Sequence, residues 1–199
     1  MNAKFGDVRA ATLTAWHDTA IQTTDRTPHA TADPLWLWIA TNHLCNRELW
    51  AQEDAARRID VPAEAIVANK RTIDGLNQNR NNAVEQIDEI LLARIADVAP
   101  LPGAWHNSET AGAMIDRLSI LALKIFHMGV EAQRSDATPD HRATCAAKLA
   151  RLLDQREDLG RCFDTLLEQA AKGRAYWRAY RQFKMYNDPN LNPELYRRR

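Results

Sequence analysis

DPLWLWIATNHLCNRELWAQEDAARR, residues 33–58, is the stretch from which the rest of the chain is read. Taken at steps of three and four it gives Trp36, Ile39, His43, Asn46, Trp50, Glu53 and Arg57. That spacing is the seam by which a helix packs into a bundle. An ordinary seam is Leu, Ile and Val, whereas this one carries His, Asn, Glu and Arg. Asp33-Pro34 supplies an N-cap and a first-turn proline. Leu35, Leu37, Trp38, Leu44, Cys45 and Leu49 make the helix apolar on most sides, as expected of a central, enclosed element.

Working outward, the pattern Phe5, Val8, Thr12, Trp16, Ala20 predicts a first amphipathic helix over about Ala3 to Ile21, followed by a loop from Thr23 to Ala32 with Pro28. Asp60-Val61-Pro62 breaks the chain. A third helix follows from Ala63 to Ile95, packing through Ile66, Ile73, Leu76, Val84, Ile87 and Leu91. Its middle, Asn77-Gln78-Asn79-Arg80-Asn81-Asn82, is a local conflict. Four asparagines in a helix interior cost about 2 kcal/mol relative to alanine, and such conflicts mark polar networks or sites. Gly75 beside them suggests a close backbone approach.

A loop around Pro100 and Pro102-Gly103 leads to a fourth helix, Thr110 to Arg134, whose apolar run Leu118 to Met128 is interrupted by Ser119, Lys124 and His127. Thr138-Pro139 opens the last helix. The row Leu149, Leu152, Arg156, Leu159, Phe163, Leu166, Ala170, Gly173, Trp177, Tyr180 keeps one spacing and predicts a single helix of over forty residues ending before Asn187-Asp188-Pro189. Strand signals are nearly absent. The expected fold is all-α: one domain over residues 1–199, a four- to five-helix bundle of long antiparallel helices with a polar interior patch, and a loosely ordered tail from about 187 to 199.

Composition narrows the function. Lys plus Arg equals Asp plus Glu, 26 each, so no global field recruits nucleic acid or an acidic membrane. Cys45, Cys145 and Cys162 lack metal spacing and fit a reducing compartment. No signal peptide or membrane span is read, and the expectation is a cytoplasmic protein. The aromatic and basic row Tyr176, Trp177, Tyr180, Phe183, Tyr186 with Arg174, Arg178, Arg181 and Lys184 reads as core packing with a solvated basic face rather than a nucleic-acid surface.

Polar residues border several packing faces. Helix two offers His43, Asn46, Glu53, Asp54 and Arg57, and helix three Lys70, Asp74, Asn77, Gln78, Asn81, Glu85 and Asp88. Helix four adds Asp116, Arg117, Lys124 and His127, and the last helix Arg156. Two expectations compete. In the first, Glu53, Asp54, Glu85 and Asp88 hold Mg or Mn between helices, with Arg57, Lys70, Lys124 and Arg156 on phosphate oxygens. His43 then moves a proton, with Glu53 and Asp54 in the catalytic set, and Asn46, Asn77, Gln78 and Asn81 read hydroxyl or amide groups. The ligand is a nucleotide, sugar nucleotide or sugar phosphate, and any reaction is hydrolysis or transfer at phosphate. In the second, the seam only sets helix register, through pairs such as Glu53 or Asp54 with Arg156 and Asp116 with Lys124, in a non-catalytic scaffold or homodimer. Glu85-x-x-Asp88 resembles half of the E-x-x-E and E-x-x-D pairs of the all-α nucleoside-triphosphate pyrophosphatases.

Four motifs in order carry a closer resemblance. They are Asn42-His43-x-x-Asn46-x-x-Leu49-Trp50-x-x-Glu53-Asp54-x-x-Arg57; Lys70-x-x-Ile73-Asp74-x-x-Asn77-Gln78-x-Arg80-Asn81; Ile115-Asp116-Arg117-Leu118-Ser119-Ile120-Leu121-x-Leu123-Lys124-Ile125-x-His127-Met128; and Tyr180-Arg181-Gln182-Phe183-Lys184-Met185-Tyr186-Asn187-Asp188. They resemble the bacterial family catalogued as domain of unknown function 4254, from whose pattern the chain departs at Asn82, where aspartate is expected. The resemblance implies an all-helical cytoplasmic protein and no established activity. The association of relatives with glycosyltransferases of cell-surface polysaccharide synthesis implies a sugar-nucleotide or sugar-phosphate ligand, or a glycosyltransferase partner.

Overall fold

The computed structural model describes residues 4–23, 33–181, 185 and 188–197. In chain order the helices are α1 (Ala10–Gln22), α2 (Pro34–Ala55), α3 (Ala63–Ala93), α4 (Ala111–Gln133), α5 (Pro139–Ala170) and the short α6 (Pro193–Tyr196). Two two-residue strands, β1 (Trp105–His106) and β2 (Ala175–Tyr176), pair in parallel. The expected all-α bundle is the fold. Among the described residues, no helix is long and apolar enough to cross a membrane.

The bundle is two helical hairpins, α2 on α3 and α4 on α5, joined through α2–α4 and α3–α4 contacts, with α1 laid across α4 and α5. Asp33 starts α2 by accepting the Leu35 N–H at 3.0 Å, and its carboxylate clamps Arg94 at 2.6 and 2.8 Å, closing the α2–α3 hairpin at that end. Thr110 and Thr138 cap α4 and α5 in the same manner. The core runs through Leu13 of α1, Leu35 and Ile39 of α2, Ile87 and Leu91 of α3, Ile115 and Leu118 of α4, and Phe163 and Leu166 of α5.

Three expectations need correction. The first helix begins at Ala10, not Ala3; Phe5 and Val8 reach the core from the turn before it, and the first helical N–H is taken by Asp164 at 2.8 Å. Gly75 makes no close approach, since nothing lies within 4 Å of a Cβ built there. The last helix stops at Ala170. There the Gly173 N–H bonds the Ala170 carbonyl and the Arg174 N–H the Gln169 carbonyl, with Gly173 at φ +70, which is a Schellman stop. Gly173 then docks by its carbonyl on the Leu101 N–H, and β2 pairs with β1. Trp177 is buried as expected, but from extended chain, whereas Tyr180 is 70% exposed and off the core seam. Phe183, Lys184 and Tyr186 of the aromatic row, with Arg198 and Arg199 of the tail and most of the Thr23–Ala32 loop, lie outside the described residues.

Candidate functional site

The α2 seam is buried in its first half and opens in its second. Trp36, Ile39, His43 and Asn46 are buried, Trp50 and Glu53 half-buried, Arg57 exposed. α4 runs alongside in the same direction, since Asn42 meets Asp116, His43 meets Ser119 and Trp50 meets His127. This pairing in register brings the polar rows together.

In the buried half, Asp116 Oδ1 accepts Asn42 Nδ2 and Asn46 Nδ2, each at 2.8 Å. Asn46 Nδ2 also lies 3.0 Å from Ser119 Oγ, and Ser119 Oγ is 2.8 Å from His43 Nδ1. With Asn46 donating to it, the Ser119 hydroxyl has His43 Nδ1 as its own acceptor. That network assigns the His43 proton to Nε2. The His43 ring stacks on His17 of α1, centroids 4.8 Å apart, with Trp16 against both rings. His43 Nε2 and both nitrogens of His17 are buried and have no partner among the described residues. Burial, then the charge of Arg47, pushes the His43 pKa down to about 4. Burial, then His43 and Arg156, holds His17 well below its ordinary value.

In the open half, Asn46, Leu49, Trp50, Glu53, Asp54 and Arg57 of α2, Arg80 of α3, and Ile120 and Leu123 of α4 line a cleft of about 290 Å3. His127 lies flat on Trp50, 4.4 Å between centroids and 1° from parallel, and stiffens that wall. Burial lowers the His127 pKa, against the opposing pull of Asp54. Arg57 is paired with Glu53 at 3.0 Å. Arg80 Nε is buried and has no partner among the described residues. Because Asn46 gives its Nδ2 to Asp116 and Ser119, its Oδ1 is the atom left to face the cleft.

The remaining predicted residues lie elsewhere. Lys70 and Asp74 form an exposed pair one turn apart on α3. Asn77 and Asn81 are half-buried, and the exposed Gln78 bonds Asn82 at 2.8 Å. Arg117 pairs with Glu109 at 2.7 Å, and with Lys124 it lines a separate groove between α4 and α5. Arg156 pairs with Asp18 of α1 at 2.7 Å, not with Glu53 or Asp54, and Asp116 binds amides, not Lys124. α1 lies between Arg156 and α2, which only the packing of the first helix decides.

The four carboxylates proposed to share a metal do not converge. Asp33 meets Arg94 at one end of the α2–α3 hairpin. At 1.5 Å per residue from that point, Glu53 and Asp88 stand about 20 Å apart along the axis. Asp88 is buried and accepts the Gly112 N–H at 2.8 Å. Burial raises its pKa to about 6, against hydrogen bonds from Thr110 and Gly112 and the nearby Trp177 indole. Among the described residues no three His, Cys, Asp or Glu side chains are grouped to hold a metal ion. Half-buried Glu85, on the same face as Asp88, is likewise remote from Glu53.

Sequence reasoning missed His17, read past Ser119, and met Arg80 only inside a motif. His17 was discoverable: Leu13, His17 and Ala20 share a helical face as good as the one read through Thr12, Trp16 and Ala20. Arg80 had no such signal, being one polar residue among five others.

Comparison with known proteins adds one finding. No curated protein and no solved structure matches the chain. A family model does match, over residues 36–179, the span that holds α2 to α5 with both halves of the seam. The chain belongs to the family described as protein of unknown function (DUF4254).

Proposed function

We propose that the α2–α3–α4 cleft binds a small phosphate-bearing molecule, of the class of sugar phosphates, nucleotides or sugar nucleotides. The observation that carries this reading is Arg80. Its guanidinium borders the cleft with Nε buried and unpartnered, while Arg57, Lys70, Arg117 and Arg156 already have carboxylates. A buried donor without an acceptor costs about 1–3 kcal/mol, more when charged, and an anionic oxygen relieves that cost. Asn46 Oδ1, Asp54 and Glu53 are acceptors suited to sugar hydroxyls, and Leu49, Leu123 and the Trp50 ring form an apolar wall. The geometry supports binding. It assigns no reacting group, because His43 is buried and committed to Ser119.

A second reading applies to the buried half of the seam. The two amides converging on Asp116 form a closed set that locks α2 and α4 in register. The two readings divide the seam between them and meet at Asn46, whose Nδ2 belongs to the lock and whose Oδ1 is left for the cleft.

Thermal unfolding with inorganic phosphate, sugar phosphates, nucleotides and sugar nucleotides tests the cleft. A ligand at about a hundred times its Kd adds about 2.7 kcal/mol to the native state, a rise of about 5 °C or more in Tm for a domain of this size. In Arg80→Gln the rise disappears, while Lys70→Ala, remote on α3, keeps it. No rise with any member of the panel, or a rise that survives Arg80→Gln, overturns the assignment.

A further inference from the structure

We propose that the stacked His17–His43 pair is a proton-operated seat for α1: protonation of the pair detaches α1 from α2 and α4 while the two hairpins stay folded. Both rings are almost wholly buried, stacked at 4.8 Å, and closed in by Trp16, with Trp36 beyond it. Among the described residues, His17 offers two nitrogens and His43 one with no hydrogen-bond partner. Among the described residues no carboxylate meets the new N–H of an imidazolium there, its burial strips it of solvation, and a second one faces a like charge across the stack.

The charges around the pair do not relieve this. From α2 comes Arg47, a cation that donates to the Ala20 carbonyl at 2.9 Å and whose charge opposes a charged His43. From α5 comes Arg156, a second cation, already neutralised by Asp18 of α1. From α4 comes Asp116, whose Oδ1 accepts the amides of Asn42 and Asn46 and reaches His43 only through Asn46 and Ser119. No α3 group is among the charges that act on either ring. A protonated His43 also turns Nδ1 into a donor, so it can no longer accept the Ser119 hydroxyl.

α1 is the element able to leave. It is the shortest of the five main helices, and its release exposes both rings without breaking either hairpin. Both rings have lowered pKa values, so the native seat is fully stable above pH 6.5, the ordinary histidine value. It loses that stability as pH falls toward about 4. Over that range each histidine that is neutral in the seat and charged in the released form changes the opening constant by about tenfold per pH unit.

Amide hydrogen exchange between pH 6.5 and 5, corrected for intrinsic rates, tests the seat in a window above the titration of ordinary carboxylates. For α1 amides around Leu13 and His17, the opening constant is expected to rise up to about a hundredfold per pH unit. His17→Phe, which keeps the stack and removes one titration, and separately His43→Phe, reduce that to about tenfold, and the double variant abolishes it. Amides at Ile87 and Leu91 of α3 stay at least tenfold better protected throughout. The proposal is overturned if α1 and α3 share one opening constant across the window, which is ordinary cooperative unfolding, or if His17→Phe leaves the α1 slope unchanged.

Discussion

Asp116 decides more than its charge suggests. It is half-buried on α4, and its Oδ1 satisfies the side-chain amides of Asn42 and Asn46 together. Asp116→Ala leaves two buried amides short of an acceptor, at about 1–3 kcal/mol each. The expected loss is about 2–4 kcal/mol in urea unfolding, whereas Arg57→Ala, breaking an exposed pair, costs under about 1 kcal/mol. Asp88 is the opposite case, a buried carboxyl favoured in its neutral form. Its pKa is raised to about 6, so its contribution is fully present below about 3.8 and is lost as pH rises through about 6. Against the wild type, Asp88→Asn should therefore lose most stability at pH 4 and least above pH 7. Tm measured across that range in both proteins checks the sign.

At the scale of elements, two glycines predict opposite outcomes. Gly173 stops α5 in the left-handed region, and a Cβ there would lie 2.7 Å from the Ala99 carbonyl oxygen. Gly173→Ala is expected to cost about 2 kcal/mol or more, through backbone conformation and that contact. Gly75 lies exposed inside α3 with open space around it, so Gly75→Ala is expected to stabilise by about 0.5–1 kcal/mol. Paired urea titrations of the two variants read both signs. The same comparison explains why α5 was expected to run on to Tyr180. The spacing from Leu149 to Trp177 is unbroken, and periodicity reports which side chains are apolar, not whether the chain between them stays helical. Gly173 breaks it because β2 pairs with β1 and its carbonyl takes the Leu101 N–H, and that loop is about seventy residues away in sequence.

Across the whole molecule, the two hairpins put a closed polar lock and an open cleft on one seam. α2 and α4 run in the same direction, so their polar rows meet over about three turns, from Asp116 to His127 on α4. Arg80, whose buried Nε has no partner among the described residues, is a stability liability of the kind that binding sites carry. Arg80→Met is therefore expected to leave the ligand-free protein as stable as the wild type or more so, by thermal unfolding, while removing the ligand-dependent rise. Structural ion pairs behave otherwise: breaking Arg156–Asp18 loosens α1 with no ligand present.

Local chemistry in the chain was enough to specify helices, their starts at Asp33-Pro34, Thr110 and Thr138-Pro139, and the α2 row that is out of place in an apolar core. Those features depend on neighbours three or four residues away, and short-range spacing encodes them directly. The same rows named Asn46, Glu53, Asp54 and Arg57, all of which line the cleft. Tertiary structure alone decided that Glu85 and Asp88 stand remote from Glu53, that Arg156 belongs to Asp18, that His17 stacks on His43, and that Arg80 borders the cleft with a buried Nε that no described residue satisfies. Each of those facts depends on which helix lies beside which, and in what direction and register. A helical face states only that a side chain will meet some neighbour; the packing of the two hairpins and α1 selects which one.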